Sequence, residues 1–200
     1  MAAEHLGPWA PLVPEDAADL LSGCVAWWWV AGGWAIDLLL GRQTRRHGDL
    51  DILVLRPDQH VVRSHLHAWD VHAADPPGTL RPWPIGEELP SSVHDIWCRT
   101  GPTAPWAFQL MIDDVEDGDW LYRRNKIVRR PVTTLSGRAS RPALPVLAPE
   151  IQLLYKSGSL RDKDVADFDR LVPHLAVDER RWLRDALLAT HQDHEWISRL

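Results

Sequence analysis

The sequence predicts an α/β (α+β) chain with a mixed, twisted sheet flanked by helices, followed by a helical C-terminal region. Three observations carry this. A continuous apolar run, Val25 to Val30, leads to a Gly32-Gly33 pair and an amphipathic stretch with Trp34, Ile36, Leu38, Leu39 and Leu40. A β-type run, Ile52 to Leu55, is entered through Asp49 and Asp51, which stand two residues apart. From Pro149 onward, apolar residues such as Val165, Phe168 and Leu171 return at helical spacing. The expected organisation is a core over residues 1–134, a linker over 135–147 rich in Ser, Gly, Arg and Pro, and helices over 148–200.

Taken in order, residues 1–13 contain Pro and Gly and read as a loose arm. Pro14 and the acids after it open a short helix that ends near Gly23. Val25 to Val30 is apolar throughout and reads as a buried central strand. The helix that follows it spans Gly33 to Leu40 and is closed by Gly41. Asp51 to Leu55 is the second core strand. Pro57 to Trp69 has helical spacing, and Pro76 to Pro90 is loop with short extended pieces. Val93–Arg99 and Trp106–Asp113 form an antiparallel pair. The basic segments 120–124 and 127–131 read as a hairpin on the edge of the same sheet, with Arg123 and Arg124 as further candidates to reach phosphate. Helices are expected at 149–156, from Asp162 to Val172, at 178–189 and at 192–200.

The stretch from Trp29 to Arg56 holds the chemistry. A strand that runs through a Gly pair into a helix offers free backbone N–H groups at the positive end of the helix dipole. Glycine lets a phosphate chain approach the backbone with no Cβ in the way. Asp49 and Asp51 leave the same face of a strand, where two carboxylates repel unless a cation stands between them. Oxygen donors of this kind suit Mg²⁺. Between the two motifs lies a basic loop with Arg42, Thr44, Arg45, Arg46 and His47. Its guanidinium groups match phosphate geometry, and His47 either orders the loop or touches a phosphate. Either motif alone is met by an ordinary turn with two exposed aspartates. Their order along the chain is what makes them specific. Zinc is not expected at His60, His65 and His67, because no cysteine or carboxylate stands at matching spacing.

Composition narrows the function. The chain carries 28 acidic and 22 basic residues among 200, a formal charge of −6, which weighs against a nucleic-acid partner. Cys24 and Cys98 read as free thiols in a reducing compartment. No secretory signal pattern opens the chain, and the longest apolar run is too short to span a bilayer, so a cytoplasmic location is expected. The 12 tryptophans are many for this length. They serve packing, and some can present a flat surface to a base or sugar.

The pattern Gly32-Gly33, then Asp49-x-Asp51, resembles the signature of the nucleotidyltransferase superfamily related to DNA polymerase β. The fuller strings Gly-Gly-Trp-Ala-Ile-Asp, Gly-Arg-x-Thr-Arg-x-His and Asp-x-Asp-Ile resemble more narrowly the aminoglycoside 2″-adenylyltransferase-like group. The resemblance implies a nucleotidyltransferase-type sheet and transfer of a nucleoside monophosphate from a triphosphate such as ATP, with Mg²⁺, to a hydroxyl-bearing small molecule. An aminoglycoside-like antibiotic is the expected acceptor class. In this family a third acidic residue stands on a strand beside the paired aspartates. Asp113 is the position that matches, as metal ligand or general base, with Asp114 next. A lysine of the C-terminal helices faces the triphosphate in the family, which implies Lys156 ahead of Lys163. The implied nucleotide-binding set is therefore Gly32, Gly33, Arg42, Thr44, Arg46, His47 and Lys156, and the metal set is Asp49, Asp51 and Asp113. The rival readings are a toxin-type nucleotidyltransferase acting on tRNA or protein, and an inactive nucleotide-binding module.

Overall fold

The computed structural model describes residues 6–138 and 144–200. The first helix, α1 (Pro14–Leu20), begins on proline with Glu15 and Asp16 in its first turn. Strand β1 (Trp28–Val30) leads into α2 (Gly32–Leu40), which ends on Gly41 in the left-handed conformation, φ 69°. Strand β2 (Asp51–Leu55), helix α3 (Gln59–His65), and strands β3 (Asp70–Ala74), β4 (Leu80–Pro82), β5 (Asp95–Arg99) and β6 (Phe108–Asp113) complete the main sheet. Its strand order is β1-β2-β6-β5-β3-β4. Only β2 and β6 pair in parallel; the other neighbours are antiparallel.

Two expectations about strands are corrected. The apolar run at 25–30 yields a strand of only three residues at the end of the sheet order, and Val25 and Trp27 are exposed. Val30 and Trp29 are nevertheless buried, because the segment at 145–147 lies along the free edge: Val30 N–H donates to Pro145 O and Leu147 N–H to Val30 O. The basic hairpin does not extend the main sheet. Strands β7 (Val115–Glu116), β8 (Asp119–Leu121) and β9 (Arg129–Pro131) form a separate three-stranded sheet.

The N-terminal arm is no loose tail over its described part. Trp106 N–H donates to Pro8 O, and Ala10 N–H and Leu12 N–H donate to Trp106 O and Ala107 O. Of the 135–147 stretch, residues 139–143 lie outside the described residues. The remainder is tied down: Ser136 bridges Leu147, and Leu135, Leu144 and Val146 are buried.

The alternation of side chains across the sheet makes two cores. On one face Ile52, Val54, Ile96, Cys98, Leu110 and Ile112 pack beneath α1, α2 and α3. On the other, Trp29, Leu53, Leu55 and Met111 pack against the C-terminal helices α4 (Pro149–Ser157), α5 (Asp162–Leu171) and α6 (Val177–Thr190). Every residue of α4 is buried, the polar ones included. Glu150 pairs with Arg130, Gln152 accepts from Gly32 N–H, Lys156 pairs with Asp164 and Asp167, and the Ser157 hydroxyl donates to Leu154 O, so these four polar side chains have partners where burial would otherwise be costly. This second core draws no residue from β3, β4 or β5 among the described residues. Both cysteines are free thiols. No helix among the described residues is long and apolar enough to cross a membrane.

Candidate active site

The site is built where β1 turns into α2. Gly32 has φ +65°, which costs a residue with a Cβ strain that glycine avoids. A methyl group there would also overlap the Asp51 carboxylate. A methyl at Gly33 would lie 2.5 Å from His47 Nδ1 and collide with the Arg45 guanidinium. The two glycines are therefore demanded by the side chains brought against them. One expectation changes in detail. Gly32 N–H is not free for a phosphate, because it donates to Gln152 Oε1 at 2.8 Å. That bond ties the glycine turn to α4.

Asp49 and Asp51 stand beside this turn and line a cavity of about 290 Å³. Its walls carry Arg45, Arg123, Arg124, Lys156, Arg161 and Lys163, so a chain with a net charge of −6 concentrates cations here. Most of these cations are already engaged. Arg45 pairs with Asp167, Lys156 with Asp164 and Asp167, Arg161 with Asp164, and Arg123 with Asp95. Neither Asp49 nor Asp51 has an ion-pair partner among the described residues. The consequence shows in Asp51. Burial first, then the neighbouring Asp49, push its carboxyl up to about 7, with Lys156 acting in the opposite direction. Asp164, by contrast, is buried, yet hydrogen bonds from Arg161 and Ser159 and the Lys156 charge outweigh that burial and hold it at about 2.

The predicted basic loop divides. Arg45 reaches the cavity. Arg42 does not; it lines a separate cavity of about 260 Å³ beside Pro14, Trp34 and Leu38. Arg46 is not among the residues lining either cavity. Thr44 and His47 bind Asp37 instead of projecting into the cavity: Thr44 N–H and hydroxyl donate to Asp37 Oδ1, and His47 Nε2 lies 2.5 Å from Asp37 Oδ2. They secure the loop to α2, with the His47 ring against Trp34 at 4.5 Å. His47 Nδ1 is buried without a partner and lies beside Gly33. Lys156 and Lys163 both line the cavity.

Asp113 is the main correction. Asp51 pairs in register with Gln109, and Asp113 with Leu55, so Asp113 stands four residues further along the same face. That is ~13 Å at the rise of a strand. Its carboxylate is buried under the small sheet, accepting from Trp120 Nε1 at 2.6 Å and from the Tyr155 hydroxyl. Burial raises its pKa despite both bonds. It does not meet Asp49 and Asp51. Asp114 is no substitute, being held by Arg56 and Lys126.

The acidic residue that does approach is Asp95, on β5. Gln109, which lines the cavity beside Asp51, donates to Asp95 Oδ1 at 2.9 Å, and Arg123 donates to the same oxygen at 3.2 Å. Asp95 also raises the Asp51 pKa, so the two carboxylates sense each other. The sequence signal existed: Asp95 begins a strand and alternates with Trp97 and Arg99 on one face. Strand periodicity alone gave no reason to prefer it over Asp113.

Two adjacent, unpaired carboxylates, with Asp51 raised in proton affinity by burial and by Asp49, are a place where a hard divalent cation fits, sharing oxygens with a phosphate chain. Among the described residues no three His, Cys, Asp or Glu side chains are grouped closely enough to hold a metal by themselves. The aspartate pair therefore suits a cation that arrives with its phosphates.

The family model described as aminoglycoside-2″-adenylyltransferase matches residues 15–79, the stretch that holds the glycine pair, the basic loop and both aspartates. No curated protein matches the chain. Among solved structures, the lincosamide antibiotic adenylyltransferase LnuA, bound to lincomycin, is 18% identical with a TM-score of 0.56, covering 82% of this chain and 98% of its own. The antibiotic-resistance factor ANT(2″)-Ia is 15% identical with a TM-score of 0.51, covering 88% and 89%. An antigenic nucleotidyltransferase-like protein from Paracoccidioides brasiliensis is 17% identical with a TM-score of 0.50, covering 94% and 88%. At these identities the likeness is one of fold. The chain has the fold of these nucleotidyltransferases, and the segment that builds its glycine turn and aspartate pair matches the model of the aminoglycoside-2″-adenylyltransferase family.

Proposed function

We propose that this protein transfers a nucleoside monophosphate, AMP from ATP, to a hydroxyl of a small molecule, with Mg²⁺ at Asp49 and Asp51. Aminoglycoside-like antibiotics are the first acceptor class to test, given the family match over residues 15–79. The observation that carries the reading is the unpaired Asp49–Asp51 pair in a cavity whose lining carries six cationic side chains. When bound, Mg²⁺ neutralises charge on the triphosphate. The protein's own residues do the rest. Arg45, Arg161 and Lys163 hold phosphate oxygens and the departing pyrophosphate. Lys156, fixed by Asp164 and Asp167, lines the same cavity beside the aspartate pair. Asp95 takes the proton of the acceptor hydroxyl as its oxygen attacks the α-phosphorus and the bond to pyrophosphate breaks. Gln109 and Arg123 position that carboxylate. The roles expected of Asp113 pass to Asp95.

The test is a mass-spectrometric screen of hydroxyl-bearing antibiotics with ATP, GTP, CTP or UTP and Mg²⁺. The expected result is an acceptor that gains the mass of one nucleotide with wild-type protein and not with Asp51→Asn. A chain that binds no triphosphate by calorimetry, or an Asp51→Asn variant that transfers at the wild-type rate, overturns the proposal.

A further inference from the structure

Gln152 is buried on α4, 3% exposed, yet it lines the cavity that holds the aspartate pair. The bond it makes fixes which way its amide turns. Gly32 N–H can only donate, so the atom 2.8 Å from it is Oε1, and the Nε2 amino group points the other way. Among the described residues that amino group has no protein partner. Two spare donors therefore sit at the end of a side chain whose other end is anchored. Gly32 also fixes what stands beside them. Asp51 lies against its Cα, where an added methyl would overlap the carboxylate, and Gln152 lies against its N–H, so the two side chains flank one residue. Lys156 follows Gln152 four residues later on the same side of α4 and lines the same cavity. The helix thus sets a neutral donor at the aspartates and a cation one turn further on. A cation at position 152 would pair with Asp51 and compete with a divalent ion, whereas an amide donates without neutralising the pair.

Building on the proposed nucleotide transfer, we propose that Gln152 is a further catalytic residue, whose Nε2–H groups donate to a non-bridging oxygen of the α-phosphoryl group as it is transferred. The α-phosphorus has to lie beside Asp49 and Asp51 if its oxygens are shared with a cation there, and that is where the free amide end stands. The acceptor oxygen forms its bond to the α-phosphorus, the bond to pyrophosphate breaks, and the acceptor proton goes to Asp95. Gln152 gives and takes no proton. It holds two fixed dipoles toward the oxygens of the group in flight, and a donor already in place costs no reorganisation at that moment. The arrangement also accounts for the engaged glycine. Gly32 gives its one N–H to Oε1, and in exchange the anchored amide presents two N–H groups to the cavity.

Two measurements test this. The first follows the Gln152 side-chain amide of wild type by NMR while Mg²⁺ and α,β-methylene-ATP are added. Its resonance is identified by proximity to Gly32 N–H and by its loss in Gln152→Met. Expected are a downfield shift and slower exchange with water. The second measures pyrophosphate release with ATP and with the two diastereomers of ATPαS, which carry sulfur, a weak hydrogen-bond acceptor, at the α-phosphorus. The acceptors are the antibiotics of the mass-spectrometric screen. Wild type should disfavour one diastereomer in a way that Mn²⁺ or Cd²⁺ in place of Mg²⁺ does not relieve. Gln152→Met should lose that preference, with kcat for ATP lowered roughly 10²- to 10³-fold and KM for ATP within about threefold of wild type. A residue that only ties the glycine turn to α4 would give a different result: a lower Tm in Gln152→Met, an amide resonance unmoved by the triphosphate, and the wild-type diastereomer ratio. That result overturns the assignment and leaves the proposed function standing, as does an unchanged kcat in the variant. Failure of wild type to bind Mg²⁺ and ATP by calorimetry overturns the proposed function itself, and this assignment with it.

Discussion

Replacing Asp51 by Asn should stabilise the metal-free protein while destroying its activity. Asp51 has no ion-pair partner among the described residues, and burial with Asp49 pushes its carboxyl from 3.8 to about 7. At about 1.4 kcal/mol per pH unit, the ionised form is disfavoured in the folded protein by on the order of 4 kcal/mol. Water reaching a partly open carboxylate reduces this to roughly 2 kcal/mol. The folded state keeps a proton that the unfolded chain has released, so stability falls as pH rises from about 4 and levels off above about 7. Asn carries no such penalty. Its advantage should more than double between pH 5 and pH 8 and reach roughly 4–8 °C in Tm at pH 8. Adding Mg²⁺ and ATP should reverse the order, raising the Tm of wild type and leaving Asp51→Asn unmoved. Calorimetric scans of both proteins in chelator at the two pH values make the measurement. A variant that is less stable than wild type at pH 8, or a difference that does not grow with pH, would refute the argument that the pair awaits a cation.

Three further outcomes follow from the same geometry. Asp95→Asn should lower kcat by roughly 10²- to 10⁴-fold with ATP affinity retained, whereas Asp113→Asn should keep turnover within roughly tenfold; steady-state kinetics that reverse this ranking would restore Asp113 to the site. Arg45→Ala should weaken Mg²⁺-ATP binding by on the order of tenfold or more, whereas Arg42→Ala, in its separate cavity, should leave it unchanged, as read by calorimetry. Gly32→Ala should cost about 1–2 kcal/mol through its positive φ alone, and more through its collision with Asp51, seen as a lower denaturation midpoint in urea; an unchanged midpoint would contradict the glycine turn as described.

Local pattern carried the sequence reading a long way. The amphipathic stretch after Gly32, the Gly41 stop, the strand behind Asp51 and the helices after Pro149 all stand close to where periodicity put them. They do so because burial of one face dictates the spacing of apolar residues along the chain. The glycine and aspartate pairs were equally visible, since both belong to one short strand-turn-helix unit whose ends meet through local bonds such as Ala31 N–H to Asp51 O.

What spacing along the chain does not contain is the register between strands distant in sequence. Whether Gln109 or Asp113 stands opposite Asp51 is a shift of four residues, ~13 Å, that leaves the alternation of faces unchanged. Both registers bury the same type of surface, so apolar pattern cannot choose between them. The choice came from the fit of Trp120 and Tyr155 around Asp113 and of Gln109 and Arg123 around Asp95. The same holds for the basic loop. Its arginines are equivalent as sequence, and only the approach of α5, which brings Asp167 to Arg45, gave that residue the cavity and left Arg42 to another. The sequence by itself determined the strand-turn-helix unit and its paired aspartates. The tertiary structure decided which distant charges join them, because that depends on long-range pairing and packing rather than on periodicity.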